Sequence, residues 1–327
     1  MRKTKFVRSG LLSWVVVGLF ASEVLAQGYP AKPIRVIDAF PAGGGTDIVA
    51  RLIAPKFLES QGQSWVVDNR PGAGGIIGTD IVAKSPPDGY TLLMFSGSFT
   101  VHPSIYKNLP YDLTKAFAPV TQTSTAAAVL VVHPSVPART VKELIALAKA
   151  RPGRLNFASG GSGTTFHVAV ELFKSMAGIS MTHIPYKGSA PALLATVGGE
   201  VDLTLIPMPS GAPYIRSGRL RALAVSTAKR DIAMPELPTI AEAGLSGFEA
   251  TNPTGVLAPV ATPREIVAKL QQEIARIVNM PDIRERLLGL GAEPVGSTPE
   301  QFGEYIRTEI AKWAKVVKAA GLELQTF

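Results

Sequence analysis

Residues 34–47 read IRVIDAFPAGGGTD: an apolar run from Ile34 to Phe40 breaks into Pro41-Ala-Gly-Gly-Gly-Thr-Asp47, and a helical pattern opens at Ile48. The same order returns later in the chain. Leu155 to Ala158 runs into Ser159-Gly-Gly-Ser-Gly-Thr-Thr165, with a helix from Phe166, so Gly-x-Gly-Thr stands at Gly43 to Thr46 and at Gly161 to Thr164. Glycine lets backbone N–H groups approach a ligand with no Cβ in the way, and the helix behind it offers unpaired first-turn N–H groups and a positive dipole end. An anion there satisfies several donors together. Two such loops, Gly43, Gly44 and Gly45 in one half and Gly161 and Gly163 in the other, can face each other across a cleft and hold a small diacid. Read plainly, each loop is a tight strand-to-helix turn.

Outward from these loops, short apolar runs alternate with amphipathic stretches, the pattern of largely parallel sheets covered by helices, and the fold class is α/β. Strands are expected at Ile34 to Phe40, Trp65 to Val67, Thr91 to Phe95, Val129 to His133, Leu155 to Ala158, Met181 to Ile184, Val201 to Ile206, Leu220 to Ser226 and Gly255 to Ala258. Thr140-Val-Lys-Glu143, Thr262-Pro-Arg-Glu265 and Thr298-Pro-Glu-Gln301 carry capping-box chemistry at helix starts. Helices are expected near 263–278 and 299–320, the second stopping at Gly321. Pro55 predicts a kink or an early end in the helix after Ile48.

The ends and the composition bound the function. Arg2, Lys3, Lys5 and Arg8 precede an apolar run from Gly10 to Ala21 and then Val24-Leu25-Ala26, the order of a secretory signal peptide spanning 1–26. That run is 12 residues long, short of the roughly 20 a membrane-spanning helix needs. A soluble, periplasmic mature chain from Gln27 is expected. There is no cysteine, which excludes disulfides, thiolate metal sites and a lipid-modified N-terminal Cys. Of the +8 net charge the leader holds +3, and the remaining +5 forms no basic stripe. Nucleic acid is therefore excluded as a partner.

Enzyme signatures fail. Gly72-Ala-Gly-Gly-Ile-Ile-Gly78 misplaces the third glycine of a dinucleotide loop, and no Gly-x4-Gly-Lys or Gly-x-Ser-x-Gly is present. Ser226-Thr-Ala-Lys229 matches Ser-x-x-Lys without its partner motifs. His102, His133, His167 and His183 make no metal-ligand spacing, although His167 falls in the first turn of the second anion-binding helix. No metal, cofactor or catalytic residue is expected. Ser96 and Ser98, with Phe99, follow a strand at the carboxyl end of a sheet, where α/β clefts form.

Tyr29-Pro30 with Phe40 to Asp47, Asn69-Arg-Pro-Gly-Ala-Gly-Gly75, Ser85-Pro-Pro-Asp-Gly-Tyr-Thr-Leu-Leu93, Gly161-Ser-Gly-Thr164, Pro185-Tyr-Lys-Gly188, Gly199-Glu-Val-Asp202 and Pro238-Thr-Ile-Ala-Glu-Ala-Gly244 together resemble the Bug family, the substrate-binding proteins of tripartite tricarboxylate transporters. The resemblance runs in order through the whole mature chain. It implies a type II periplasmic-binding-protein fold, with 27–124 and 250–327 in one lobe and 125–249 in the other, a hinge between them, and a monomer that hands a small carboxylate to integral membrane transporter subunits. It also implies that Phe40, Ala42, Gly45, Thr46 and Asp47 on one lobe, and Ser159, Ser162, Gly163 and Thr164 on the other, grip the ligand through amides, hydroxyls and bridging waters. Asp47 reads either as orienting its loop or a water, or as capping its own helix. Ile206-Pro-Met-Pro-Ser210 departs from the family pattern and makes the far end of the pocket, at Pro207, less polar. Other readings the residues leave open are a sensory module and an exported α/β hydrolase.

Overall fold

A computed structural model describes residues 28–322; the signal peptide expected at 1–26 lies outside them. The first half builds β1 (Ile34–Asp38), α1 (Gly45–Gln61), β2 (Trp65–Asn69), α2 (Ile76–Ala83), β3 (Thr91–Ser96) and α3 (Ser98–Ile105). After β4 (Phe117–Val132) and α4 (Val141–Ala150) come β5 (Asn156–Ser159), α5 (Thr165–Ala177), β6 (Thr182–Pro185), α6 (Ser189–Val197), β7 (Leu203–Pro207), α7 (Met208–Arg216) and β8 (Arg221–Val225). The chain closes with β9 (Thr251–Pro259), α8 (Arg264–Val278), α9 (Pro281–Gly289), β10 (Ala292–Pro294) and α10 (Pro299–Ala319).

The strand order is β2-β1-β3-β9-β4-β7-β5-β6, with β8 and β10 also paired to β4. β1 lies between β2 and β3, and β5 between β6 and β7, all parallel. Each glycine loop thus leaves the carboxyl end of the middle strand of a parallel trio, at the point where the chain turns first to one side and then to the other. That is where α/β sheets open a crevice.

β4 belongs to both sheets. Phe117 to Ala127 pairs with β9, while Ala128 to Val132 pairs with β7 and, from Val129, with β8. At this change of partner Ser226 ties the strands together. Its N–H donates to Ala128 O (2.8 Å), its carbonyl accepts from Ala250 N–H (2.9 Å), and its hydroxyl accepts from Ala128 N–H (3.0 Å) and donates to Ala250 O. The Ser-x-x-Lys match is therefore a structural serine, completely buried.

α10 spans both halves. Phe302 and Ile306 pack with Ile37, Phe95 and Leu257, whereas Trp313 and Val317 pack with Phe157, Phe173 and Leu205.

Several expectations need correction. Pro55 does not end its helix, which continues to Gln61 and stops at Gly62 (φ 66°), because the buried face at Val49, Ile53 and Phe57 holds the turns on either side. The helix expected from Thr262 caps at Pro263, and the buried Thr262 hydroxyl has no partner. Thr298 and Gln301 form a complete capping box; Thr140 caps α4 by accepting from Glu143 N–H, while the Glu143 carboxylate takes Arg139 N–H instead. β4 begins well before Val129, at Phe117, because β9 pairs with its first half, which Thr, Ser and Gln keep from reading as an apolar run; β10 is only three residues long and ends in Pro294.

Candidate functional site

The two glycine loops meet. A narrow cleft lies between the halves, lined by Phe40, Gly45 and Thr46 from the first loop and Gly160 and Thr164 from the second. Ser96 and Ser98 line it from the end of β3, Asn252 from β9, and Pro207, Ser189 and Ala192 from the far side. No Lys or Arg is among these residues.

The donors come from helix starts. α1 begins at Gly45 with no side-chain cap, and its first bond back to the loop is Ile48 N–H to Gly44 O. Among the described residues, the N–H groups of Gly45, Thr46 and Asp47 have no hydrogen-bond partner. In the second loop the N–H groups of Phe166 and His167 are likewise unpaired, whereas that of Thr165 donates to Ser98 Oγ across the cleft (3.3 Å).

The rest of each loop is spent on its own shape. The buried Asp38 carboxylate at the end of β1 accepts the Phe40 N–H (3.1 Å) and the Thr46 hydroxyl (3.0 Å to each oxygen). Asp47 accepts the Gly43 N–H (2.9 Å), an Asn69 amide hydrogen (3.1 Å) and the Arg51 guanidinium (2.9 Å). Burial raises Asp47, but these three partners outweigh it and hold the carboxyl below its usual range. Its role is to orient the loop, and it faces away from the cleft. In the second loop, Ser159 Oγ bonds His183 Nε2 (2.6 Å) and both backbone groups of Gly161, and the Thr164 hydroxyl donates to Gly161 O (2.8 Å).

His167 supports the second loop from behind. Its Nδ1 accepts the Gly163 N–H (3.2 Å), which fixes the neutral tautomer, and its ring stacks on His183 at 4.1 Å between centroids. Burial first, then the neighbouring His183 and Lys174, lower His167 to about 3; burial and Lys174 lower His183 to about 4.

Of the residues expected from the sequence, Phe40, Gly45, Thr46, Ser96, Ser98, Thr164 and Pro207 share the cleft. Gly161 and Ser162 line an adjoining cavity with Gly72 to Gly75, Tyr106, Tyr186 and Lys187, which shares Phe40 and Gly160 with the cleft. Ala42, Gly43, Gly44, Asp47, Ser159, Gly163 and His167 do not line the cleft: Ala42 and Gly43 are exposed on the outside of the turn, and the other five are buried. Phe99 is wholly buried, stacked on Phe40 at 6.0 Å. Sequence reasoning missed Ser189, Ala192 and Asn252, which carry no local motif and reach the cleft only through the topology, and Asp38, which is buried behind the cleft and touches it through Thr46.

Contacts across the cleft show it closed. Tyr106 donates to Ser162 O (2.7 Å), and Ser210 Oγ to Gly43 O (3.3 Å).

Residues 49–322 match the model of the tripartite tricarboxylate transporter family receptor. The chain belongs to this family. The chain is similar to a solved R. palustris protein with adipate, at 39% identity and a TM-score of 0.89, covering 91% of this chain and all of that one. It also resembles the periplasmic binding protein BugD at 34% identity and a TM-score of 0.88, with 91% and 100% covered. MatC of Rhodopseudomonas palustris with bound malate matches at 32% and a TM-score of 0.84, with 88% and 100% covered. The protein is accordingly a two-lobed solute-binding protein of the Bug type, in a family of periplasmic binding proteins, and not an enzyme. No helix among the described residues is long and apolar enough to cross a membrane.

Proposed function

We propose that the protein captures a small organic carboxylate between lobes 27–124 with 250–327 and 125–249, and delivers it as a monomer to integral membrane subunits of a tripartite tricarboxylate-type transporter. The observation that carries this reading is the pair of unpaired N–H groups at Gly45 and Thr46, on residues lining a cleft that also receives the hydroxyls of Ser96 and Ser98 and the Asn252 amide. With no Lys or Arg lining the cleft, the ligand's charge is met by dipoles alone. Each N–H to a carboxylate is a charge-assisted bond of about 1.5–3 kcal/mol. The adipate and malate held by two relatives support a carboxylate here, and export through residues 1–26 follows the leader pattern.

Calorimetry with adipate, malate and their monoamides tests the reading, alongside mass spectrometry of whatever small molecule copurifies. The expected result is saturable binding of a carboxylate that is lost in Gly45→Val. Binding confined to uncharged compounds overturns it.

A further inference from the structure

Asp38 is 0% exposed, and no cation lies within ion-pair distance of it among the described residues. Its partners are the Phe40 N–H and the Thr46 hydroxyl. The nearest charges, Asp47 and Arg51 on α1, are bonded to each other, and its cross-strand neighbours Asn69 on β2 and Met94 on β3 do not ionise. Burial is the main influence on the group and raises it to about 7, against the lowering effect of its two hydrogen bonds.

An ionised carboxylate only accepts hydrogen bonds, so an ionised Asp38 compels the Thr46 hydroxyl to give it its single hydrogen. Thr46 lines the cleft beside the free N–H groups. With its hydrogen spent on Asp38, its oxygen turns lone pairs toward the place where a ligand carboxylate would sit, with a second buried negative charge behind. A proton on Asp38 reverses this arrangement. Asp38 then donates to Thr46 Oγ, and the Thr46 hydrogen turns to the ligand.

Resting on the carboxylate reading of the cleft, we propose that binding the ligand's carboxylate draws a proton from solvent onto Asp38, with the Thr46 hydroxyl as the link between them. One proton moves from bulk water to one Asp38 oxygen, the Asp38–Thr46 hydrogen bond reverses, and a new one forms from the Thr46 hydroxyl to the ligand. Apart from the O–H bond that supplies the proton, no covalent bond breaks, in ligand or protein.

The test has two arms. In ligand-free protein, carbon NMR of 13C-labelled aspartate, with Asp38 assigned through its backbone, follows its ionisation with pH. The expected midpoint is near neutrality, and a midpoint below about pH 5, inside the ordinary range of a carboxyl, overturns the proposal. The second arm titrates adipate by calorimetry in two buffers of different ionisation heat, above about pH 6.5, where both adipate carboxyls are already ionised. Wild type should take up a proton on binding, and its affinity should fall toward about tenfold per pH unit above the midpoint. Asp38→Asn imitates the protonated state, with its amide donating to Thr46; it should bind at pH 8 at least as tightly as wild type, with flat pH dependence and no proton uptake. Uptake that persists in Asp38→Asn overturns the proposal. If adipate gives no heat, malate replaces it; if only uncharged compounds bind, the carboxylate reading of the cleft is what fails, and the ligand-free arm still decides whether Asp38 holds a proton near neutral pH.

Discussion

Two glycines that look alike in sequence do different work. A Cβ on Gly45 would stand 3.0 Å from Asn252 Nδ2 and 3.1 Å from Pro207, both walls of the cleft, with no unfavourable φ. Gly163 has φ +74° and a Cβ there would lie 2.8 Å from the Tyr106 ring. Gly45→Val should therefore keep its melting temperature and lose carboxylate affinity by more than about tenfold, or 1.4 kcal/mol, because side-chain bulk fills the cleft. Gly163→Val should lower the melting temperature first, because a β-branched residue is strained at positive φ. Calorimetry beside thermal melts separates the two; equal melting losses would mean that both are simple turn glycines. Asn252→Ala should weaken binding by about 1–3 kcal/mol through loss of a cleft amide, with unchanged affinity ruling that amide out of the site. The loop residues were legible in the sequence because strand, glycines and helix start are contiguous. Asn252 and Asp38 were not, since a lone Asn or Asp in an apolar strand announces nothing until its neighbours are known.

At the level of elements, each loop is braced by the helix it begins: Asp47 reaches back to Gly43, and His167 to Gly163. The second brace is a neutral imidazole stacked on another, and that makes it sensitive to acid. Burial lowers His167 to about 3 and His183 to about 4, from 6.5, and the buried His102 to about 4. Between those values and 6.5 the unfolded chain holds more protons than the folded one, so stability rises with pH across this window and is lost as pH falls through it. Denaturation by urea at pH 7.5 and pH 4.5 should show that loss, and a protein carrying both His167→Asn and His183→Asn should lose less than wild type over the same interval. An equal loss would assign the acid sensitivity to carboxylates instead. Helix starts at Thr140 and Thr298 could be read from the chain because a cap is a local bargain between four residues. At Thr262 the same letters fail because the turn out of β9 hands the capping position to Pro263.

Across the whole molecule, closure has to be accommodated where β4 changes partners, and Ser226 bonds both strands that cross there. Ser226→Ala leaves the Ala128 N–H and the Ala250 carbonyl each short of a buried bond, at about 1–3 kcal/mol apiece. The expected outcome is a clear drop in urea midpoint with the cleft contacts intact; a midpoint within error of wild type would show that the strands hold each other without it. The alternation of strands and helices could establish an α/β chain but not two lobes, because nothing in periodicity says that β4 serves two sheets. That came from the likeness of its ordered motifs to a family.

The pairing of Ala127 with Thr251 has a topological corollary. Everything from 128 to 250 departs from the frame and rejoins it at one spot, so one continuous segment is nested inside an outer one. Cutting at that spot and closing the gap with an Asn-Gly turn, the usual two-residue link between antiparallel strands, should yield a miniature protein that retains β1 to β3 and β9. It would carry a scar, however, for Trp313 and Val317 on α10 would lose the apolar bed they now occupy. The inner piece is then as much a stopper for that helix as a lid for the cleft, and the miniature should stick to itself until those two residues are made polar.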